Sequence, residues 1–353
     1  MGFEGFPFIV GWELTLACNM RCRHCASAAG QPRDRELTLA EALGLCEQLP
    51  ALAVQEVDFT GGEPLVREDW WRIAGRLRDL EITTRMVTNG LLLTAETVAR
   101  MKAVGLATVA VSVDGVEEVH DRMRSSPGLF RRVLAGMARV AAAGIRLSAI
   151  TAVNAVNLPT LPALLRLLES IGVETWQLQP ILPQGRTLAN PELALSEEEY
   201  VRIARFVRDA RHETRHGKMK VVPADSLGYF TELDFGEPPW RGCAAGLASV
   251  GIRSDGRVTG CLSMADELVE GNLRERDLWD IWFDEAAFPY SRRFSPAHLG
   301  PGCESCAMAE QCRGGCTSMS YGCTGRLHND PFCLTSIRHR SPETFARATA
   351  APR

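Results

Sequence analysis

The sequence predicts an α/β protein: a parallel sheet with helices outside it, followed by a small cysteine-rich domain. Three observations predict this. Between residues 12 and 182, short apolar runs alternate with longer amphipathic ones in six β/α repeats. The twelve cysteines fall into two groups, Cys18 to Cys46 and Cys243 to Cys333, with none in between. Beyond residue 242 the chain is rich in cysteine, glycine and turn residues, a composition better held together by metal than by a large core. Six repeats form either an open barrel or a doubly wound sheet, and periodicity does not choose between them.

The elements follow in order. "WELTLA" (12–17) reads as a strand, and a loop with Cys18, Cys22 and Cys25 follows it. "LTLAEALGLCEQL" (37–49) reads as a helix with Thr38 as N-cap and Glu41 three residues on, a capping box. Next come a strand and turn at 57–62, a helix at 69–80, a strand at 82–90 and a helix at 94–105. A strand at 107–115, a helix at 129–144 capped by Gly144, and a strand at 146–153 continue the alternation. A helix at 158–172, a sixth strand at 175–182 and a long helix at 195–217 complete it. "DFGEPPWRG" (234–242) reads as a linker, and 274–284 as the one clear helix after it. The expected division is a barrel over 1–185, a bridging helix and linker over 186–238, the cysteine-rich domain over 239–340, and a mobile tail over 341–353.

Composition narrows the function classes. The 353 residues are 46% hydrophobic and 23% charged, with a net charge of −4 and a pI of about 6.0. No basic patch points to nucleic acid or a membrane surface. No apolar run is long enough to span a bilayer, and the start lacks a signal-peptide pattern. The expected location is the cytoplasm, where thiols more often serve as metal ligands or catalytic groups than as disulfides.

The spacing Cys18-x3-Cys22-x2-Cys25 puts three thiols on one loop at a strand end. A structural zinc site takes four ligands and a disulfide takes two. Three thiolates suit an iron–sulfur cluster with one iron left open. His24 offers zinc a fourth ligand, but between two ligands its side chain is expected to point away. "TGGEP" (60–64) ends the second strand: two glycines allow close backbone approach, Glu63 adds a carboxylate and Pro64 fixes the exit. Alone it reads as a strand-to-helix turn. "TNG" (88–90) ends the third strand and "VSVDG" (111–115) the fourth, where Asp-Gly reads equally well as a turn.

Together these motifs resemble those of radical S-adenosylmethionine (SAM) enzymes over residues 12 to 185. The resemblance implies a partial (β/α)6 barrel of the TIM type, with chemistry at the C-terminal strand ends. It implies that Cys18, Cys22 and Cys25 hold a [4Fe–4S] cluster whose open iron is chelated by SAM. Gly61, Gly62, Glu63 and Pro64 would contact the methionine amino group, Asn89 would border the SAM pocket, and Ser112 would meet the ribose or carboxylate. The implied chemistry is reductive cleavage of SAM to a 5′-deoxyadenosyl radical, which abstracts hydrogen from a substrate. A flavodoxin or ferredoxin is the expected electron donor.

The later cysteines run Cys243, Cys261, then Cys303, Cys306, Cys312 and Cys316 in "CESCAMAEQCRGGC", then Cys333 in "NDPFC". This pattern resembles the SPASM extension with two auxiliary [4Fe–4S] clusters. Its interleaved ligation implies Cys243, Cys261 and Cys316 for the first, and Cys303, Cys306, Cys312 and Cys333 for the second. Without the N-terminal motif, structural zinc would suit the C-x2-C knuckles as well. Cys323 either completes the first auxiliary cluster or is a free thiol acting on substrate. Cys46, among leucines on a helix, reads as a core thiol. "HETRH" (212–216) fits a zinc-protease pattern, but the inward stripe of its helix is Ile203, Val207, Ala210 and Thr214, so His212 and His216 are expected to face solvent.

Enzymes with this two-part architecture commonly crosslink, epimerise or excise parts of peptides, and some modify haem or quinone-cofactor precursors. In the sulfatase-maturing branch an aspartate typically follows the second cysteine of the extension; here Leu262 follows Cys261. The expected substrate is a ribosomally made precursor peptide. Too few residues precede the first strand for a leader-recognition domain, so a separate small recognition protein is expected. Glu174, Gln177 and Gln179 could line the pocket. The rival classes are an electron-transfer iron–sulfur protein and a zinc-stabilised scaffold.

Overall fold

The computed structural model describes residues 5–224, 227 and 242–349. Seven strands pair in parallel, each with the next: β1 (Ile9–Thr15), β2 (Glu56–Gly61), β3 (Thr83–Thr88), β4 (Thr108–Ser112), β5 (Arg146–Val153), β6 (Thr175–Pro180) and β7 (Lys220–Pro223). The connecting helices are α1 (Leu39–Gln48), α2 (Trp70–Asp79), α3 (Ala95–Ala103), α4 (Glu117–Met123), α5 (Leu129–Ala142), α6 (Leu161–Ser170) and α7 (Glu197–Thr214). A doubly wound sheet reverses its strand order at a switch point. Here β1 to β7 never reverse, which is the order of an open barrel wall. The seventh strand was absent from the six-repeat reading because four residues are too short for a period-2 signal.

Local chemistry sets the helix ends. Thr38 and Ser196 each form a complete capping box, with Glu41 and Glu199. Gly144 sits at φ +74° after α5, as expected of a glycine that ends a helix.

The cysteine-rich region begins inside the same sheet. β8 (Ser249–Ile252) pairs in parallel with β1 through Ile9↔Ser249 to Trp12↔Ile252. β9 (Arg257–Thr259) and β10 (Gly271–Asn272) add antiparallel strands beyond it. This extension covers the free backbone edge of β1. The region holds more helix than expected: Pro289–Arg292, Ala309–Cys312, Thr317–Thr324 and Leu334–Arg340 follow Leu278–Trp282. Helix Pro342–Thr349 packs against α7, and the Ser341 hydroxyl and Arg340 guanidinium both bond the Glu197 carboxylate. Most of the expected linker, 234–241, lies outside the described residues.

Strand alternation separates core from lumen. Trp12, Phe59, Met86, Val109, Leu147 and Trp176 point outward and are buried with helix residues such as Leu45, Ile73, Met101, Val133 and Leu164. The opposite face carries Gly11, Asp58, Thr60, Val87, Ser112, Ile150, Gln177 and Gln179. A closed TIM barrel fills its interior with bulky branched residues. Here small and polar groups leave the C-terminal end of the lumen open.

Candidate active site and metal centres

The open end is a cavity of about 570 Å³ lined by Cys18, Cys22 and Cys25 together with Gly61, Gly62, Asn89 and Ser112. Residues from four strand ends thus converge as expected. Pro64 is buried just behind the wall. Gln177 and Gln179 also line the cavity, whereas Glu174 lies in a separate cavity at the other end of the lumen.

The two glycines are required by their neighbours. A Cβ on Gly61, at φ +148°, would stand 2.2 Å from the Thr15 carbonyl oxygen, and one on Gly62 would stand 2.3 Å from that of Ala17. This close approach lets the Gly62 and Glu63 amides donate to Thr15 and Ala17, binding the β2 end to the cysteine loop. Glu63 is fully buried and turns away from the expected ligand. Its carboxylate accepts from Thr88 Oγ1 at 2.8 Å, the Asn89 amide at 2.7 Å and the Leu65 amide at 3.2 Å. Burial lifts its pKa to about 7 against these three donors. Glu63 therefore fixes the end of β3, and Asn89 with it.

Each of the three sulfurs has a polar hydrogen nearby. Asn89 Nδ2 lies 3.9 Å from Cys18 Sγ, Arg124 Nη1 lies 3.9 Å from Cys22 Sγ, and Ser27 Oγ lies 3.5 Å from Cys25 Sγ. Such contacts to sulfur help set the potential of a bound cluster. Burial pushes the Cys18 thiol up to about 11 and raises that of Cys22. Buried thiols of this kind ionise when a cationic metal group compensates them, so the donor set fits a cluster. Among the described residues no three His, Cys, Asp or Glu side chains converge as one metal ion would require. Thiolates bound to separate irons of a cluster do not need to.

A buried ionic group missed in the sequence stands behind Cys22. Arg124 Nε donates to Asp114 Oδ2 at 2.8 Å, and His24 Nε2 lies 3.2 Å from the same oxygen. The Ala152 amide donates to Asp114 Oδ1, and the Asp114 amide donates to His120 Nδ1. Burial would raise the Asp114 pKa, but Arg124 foremost, with His24 and His120, outweighs it and holds it at about 2. Burial lowers the pKa of both histidines, His120 to about 4. Two expectations are corrected here. His24 does not point away; it lines the cavity, committed to Asp114. The Asp-Gly of "VSVDG" is more than a turn, because its carboxylate anchors this group. The spacing Asp114, His120, Arg124 was the available signal, since His120 on α4 and its C-cap Arg124, four residues apart, fall on one side.

A strap after β6 locks the cysteine loop. Arg186 donates to the carbonyls of Cys22 and Ala29, both at 2.8 Å, and its amide donates to Cys25 O at 3.0 Å. Thr187 Oγ1 donates to His24 O, and Asn190 Nδ2 to Arg23 O. Gly185, at φ +56°, passes so close that a Cβ would stand 2.2 Å from Ala26 O.

The later cysteines gather into two groups. Cys316 has the Cys243 and Cys261 thiols as electrostatic neighbours. Cys303 neighbours Cys306 and Cys333, and Cys312 neighbours Cys303 and Cys333. Burial raises the thiol pKa values here too, to about 11 for Cys303 and about 12 for Cys312. Cys323 stands apart. Its Sγ contacts Met319 Sδ at 3.4 Å, its charged neighbour is Asp330, and it lines a second cavity. Cys46 is fully buried in the core. On α7, Ile203, Val207, Ala210 and Thr214 are buried, while His212 and, just past its end, His216 are exposed, as expected.

An open parallel barrel whose cavity combines three loop thiols with glycine-lined strand ends defines a metal-cluster enzyme with a small-molecule cosubstrate. Comparison with known proteins makes this specific. The radical SAM superfamily model matches residues 12–168, and the iron–sulfur cluster-binding SPASM model matches residues 243–316. An AdoMet-dependent heme synthase from Nitratidesulfovibrio vulgaris is 30% identical over 95% of this chain and 94% of its own. The mycofactocin maturase MftC of Mycobacterium tuberculosis is 28% identical over 98% of this chain and 87% of its own. Among solved structures, Streptococcus suis SuiB bound to S-adenosylmethionine superposes with a TM-score of 0.72 at 18% identity, over 89% of this chain and 74% of that one. Native anSMEcpe with bound AdoMet gives 0.73 at 15% identity, over 98% and 100%. The chain belongs to the radical SAM superfamily and carries a SPASM domain. It is an enzyme whose cofactors are a [4Fe–4S] cluster with SAM and auxiliary iron–sulfur clusters. No helix among the described residues is long and apolar enough to cross a membrane.

Proposed function

We propose that Cys18, Cys22 and Cys25 hold the SAM-binding cluster, that Cys243, Cys261 and Cys316 hold one auxiliary cluster and Cys303, Cys306, Cys312 and Cys333 the other, and that the substrate is a ribosomally made peptide. When bound, the first cluster supplies the electron that cleaves SAM to the 5′-deoxyadenosyl radical, which takes hydrogen from the substrate. The chain's own residues prepare the site. Gly61 and Gly62 keep the wall low enough for close contact. Asn89, fixed by Glu63, and Arg124, fixed by Asp114, direct N–H groups at cluster sulfurs. Ser112 offers a hydroxyl to SAM. The strap anchored by Arg186 holds the cysteine loop against the barrel.

The peptide reading rests on the charge of the cavity wall. Both guanidinium groups there are committed, Arg124 to Asp114 and Arg186 to the carbonyls of Cys22 and Ala29. Asp58, the other lining carboxylate, is paired with Arg85, and the remaining polar groups, Asn89, Ser112, Gln177 and Gln179 among them, are mostly neutral. Neutral donors and acceptors suit an amide backbone. Several substrate carboxylates buried there would lack partners. The relative MftC, named a maturase, supports the same reading. A separate small recognition protein, a flavodoxin or ferredoxin donor and a cytoplasmic setting complete the proposal. Twelve cysteines read as metal ligands or core thiols, with no disulfide framework, support that setting. A second reading, modification of a haem precursor, is favoured by the heme synthase relative that matches both chains nearly end to end.

The test is to co-express the chain with each neighbouring short reading frame and weigh the peptides, in parallel with anaerobic incubation of the reduced enzyme with haem precursors. A mass change in one peptide supports the peptide reading. Unchanged peptides with a converted haem precursor would replace it with the second.

A further inference from the structure

A second cavity, of about 550 Å³, adjoins the SAM cavity, and the two share Pro180 and Ile181 at the end of β6. One wall is the strap, through Pro183, Leu188 and Leu195. The facing wall is helix Thr317–Thr324, through Met319, and Phe332 beyond it, stacked on Tyr200 at 5.1 Å. None of its lining residues carries a formal charge at neutral pH. The two chambers thus differ sharply. The first holds charged side chains and the cysteine loop; the second is apolar and uncharged.

Both walls of the apolar chamber are tied to metal-site loops. The strap hangs on the carbonyls of Cys22, His24 and Ala29 through Arg186 and Thr187. Cys316 is the N-cap of the facing helix. The chamber's position relative to the reacting centre is therefore fixed, as a specificity pocket requires.

We propose that this chamber seats a large apolar side chain of the peptide substrate, next to the residue whose hydrogen is taken. The inference rests on the peptide reading. Continuity with the SAM cavity names the occupant, since a peptide lying across Pro180 and Ile181 has neighbouring residues in both chambers. The lack of charge sets its chemistry, because an apolar side chain leaves no buried polar group unpaired while a charged one would. Such a pocket discriminates by the apolar area it buries. A haem precursor would have to bring its carboxylates past the same uncharged walls.

The test uses the intact protein with its clusters, purified anaerobically, and Nile red as a neutral apolar probe. Saturable binding with a blue-shifted emission is expected. N-acetyltryptophanamide should displace the dye and N-acetylglutaminamide should not. Leu195→Glu, which puts a carboxylate in the chamber, should weaken dye binding about tenfold or more. Trp279→Ser, which removes an exposed aromatic elsewhere, should leave it unchanged. Dye binding that ignores Leu195→Glu, equal displacement by both amides, or no saturable binding would each overturn the inference. Failure of the peptide reading looks different: every co-expressed peptide would then keep its mass while a haem precursor is converted, whatever the dye does.

Discussion

Arg124 and Asp114 form a buried ion pair, 2.8 Å from Nε to Oδ2, and the same guanidinium reaches within 3.9 Å of the Cys22 sulfur. A positive charge beside Cys22, the proposed cluster ligand, is thus held in place by a carboxylate ten residues earlier. Arg124 is 6% exposed and Asp114 fully buried, so neither partner has water as an alternative.

Removing one partner leaves the other uncompensated. Asp114→Ala is expected to cost about 3–5 kcal/mol of stability. Denaturant unfolding monitored by circular dichroism checks this. A loss within about 0.5 kcal/mol would show that water relaxes the site.

The sign of the pH dependence at this pair is fixed. Asp114 is held at about 2 against an ordinary 3.8, so its contribution is full above about pH 4 and is lost as pH falls toward 2. Urea unfolding along an acid series should show the loss in wild type and a smaller one in Asp114→Asn.

Glu63 works in the opposite direction. Its folded pKa of about 7 lies above the ordinary 4.5, so the folded state binds the extra proton. Its contribution to stability is full below about pH 4.5 and falls by about 3 kcal/mol as pH rises through 7. Glu63→Gln should flatten the slope between pH 5 and 7. An unchanged slope would place the titration elsewhere.

The strap should govern cluster retention. Arg186→Ala removes the bonds to Cys22 O and Ala29 O, and Gly185→Ala forces a Cβ against Ala26 O. Both variants should lose iron to a chelator several-fold faster than wild type at equal global stability, since the affected backbone lies at the loop. Absorbance at the cluster band against time measures this.

What the sequence disclosed follows from the range of the interactions. The capping boxes at Thr38 and Ser196 are i to i+3 contacts, so short motifs reveal them. The cysteine loop and the Gly61-Gly62 turn were legible for the same reason, and strand periodicity placed both at C-terminal strand ends. The spacing of Asp114, His120 and Arg124 left a local trace, but the attachment of His24 and Cys22 to that group was not legible, because it joins a loop after β1 to residues about a hundred positions later. Arg186, more than 150 residues from the carbonyls it holds, gave no local signal at all. The sheet extension through β8 was hidden likewise, since pairing Ile9 with Ser249 is a matter of topology rather than pattern.

The central claim is that three cysteines on one loop hold a cluster that opens SAM. The direct measurement is 5′-deoxyadenosine formed by the anaerobically reduced protein with SAM, read beside iron content. Wild type should produce it with about twelve irons per chain, and Cys18→Ser, Cys22→Ser and Cys25→Ser should each produce none while keeping about eight. Iron-loaded, reduced wild type that forms no 5′-deoxyadenosine, or a single-cysteine variant that still forms it, would contradict the account.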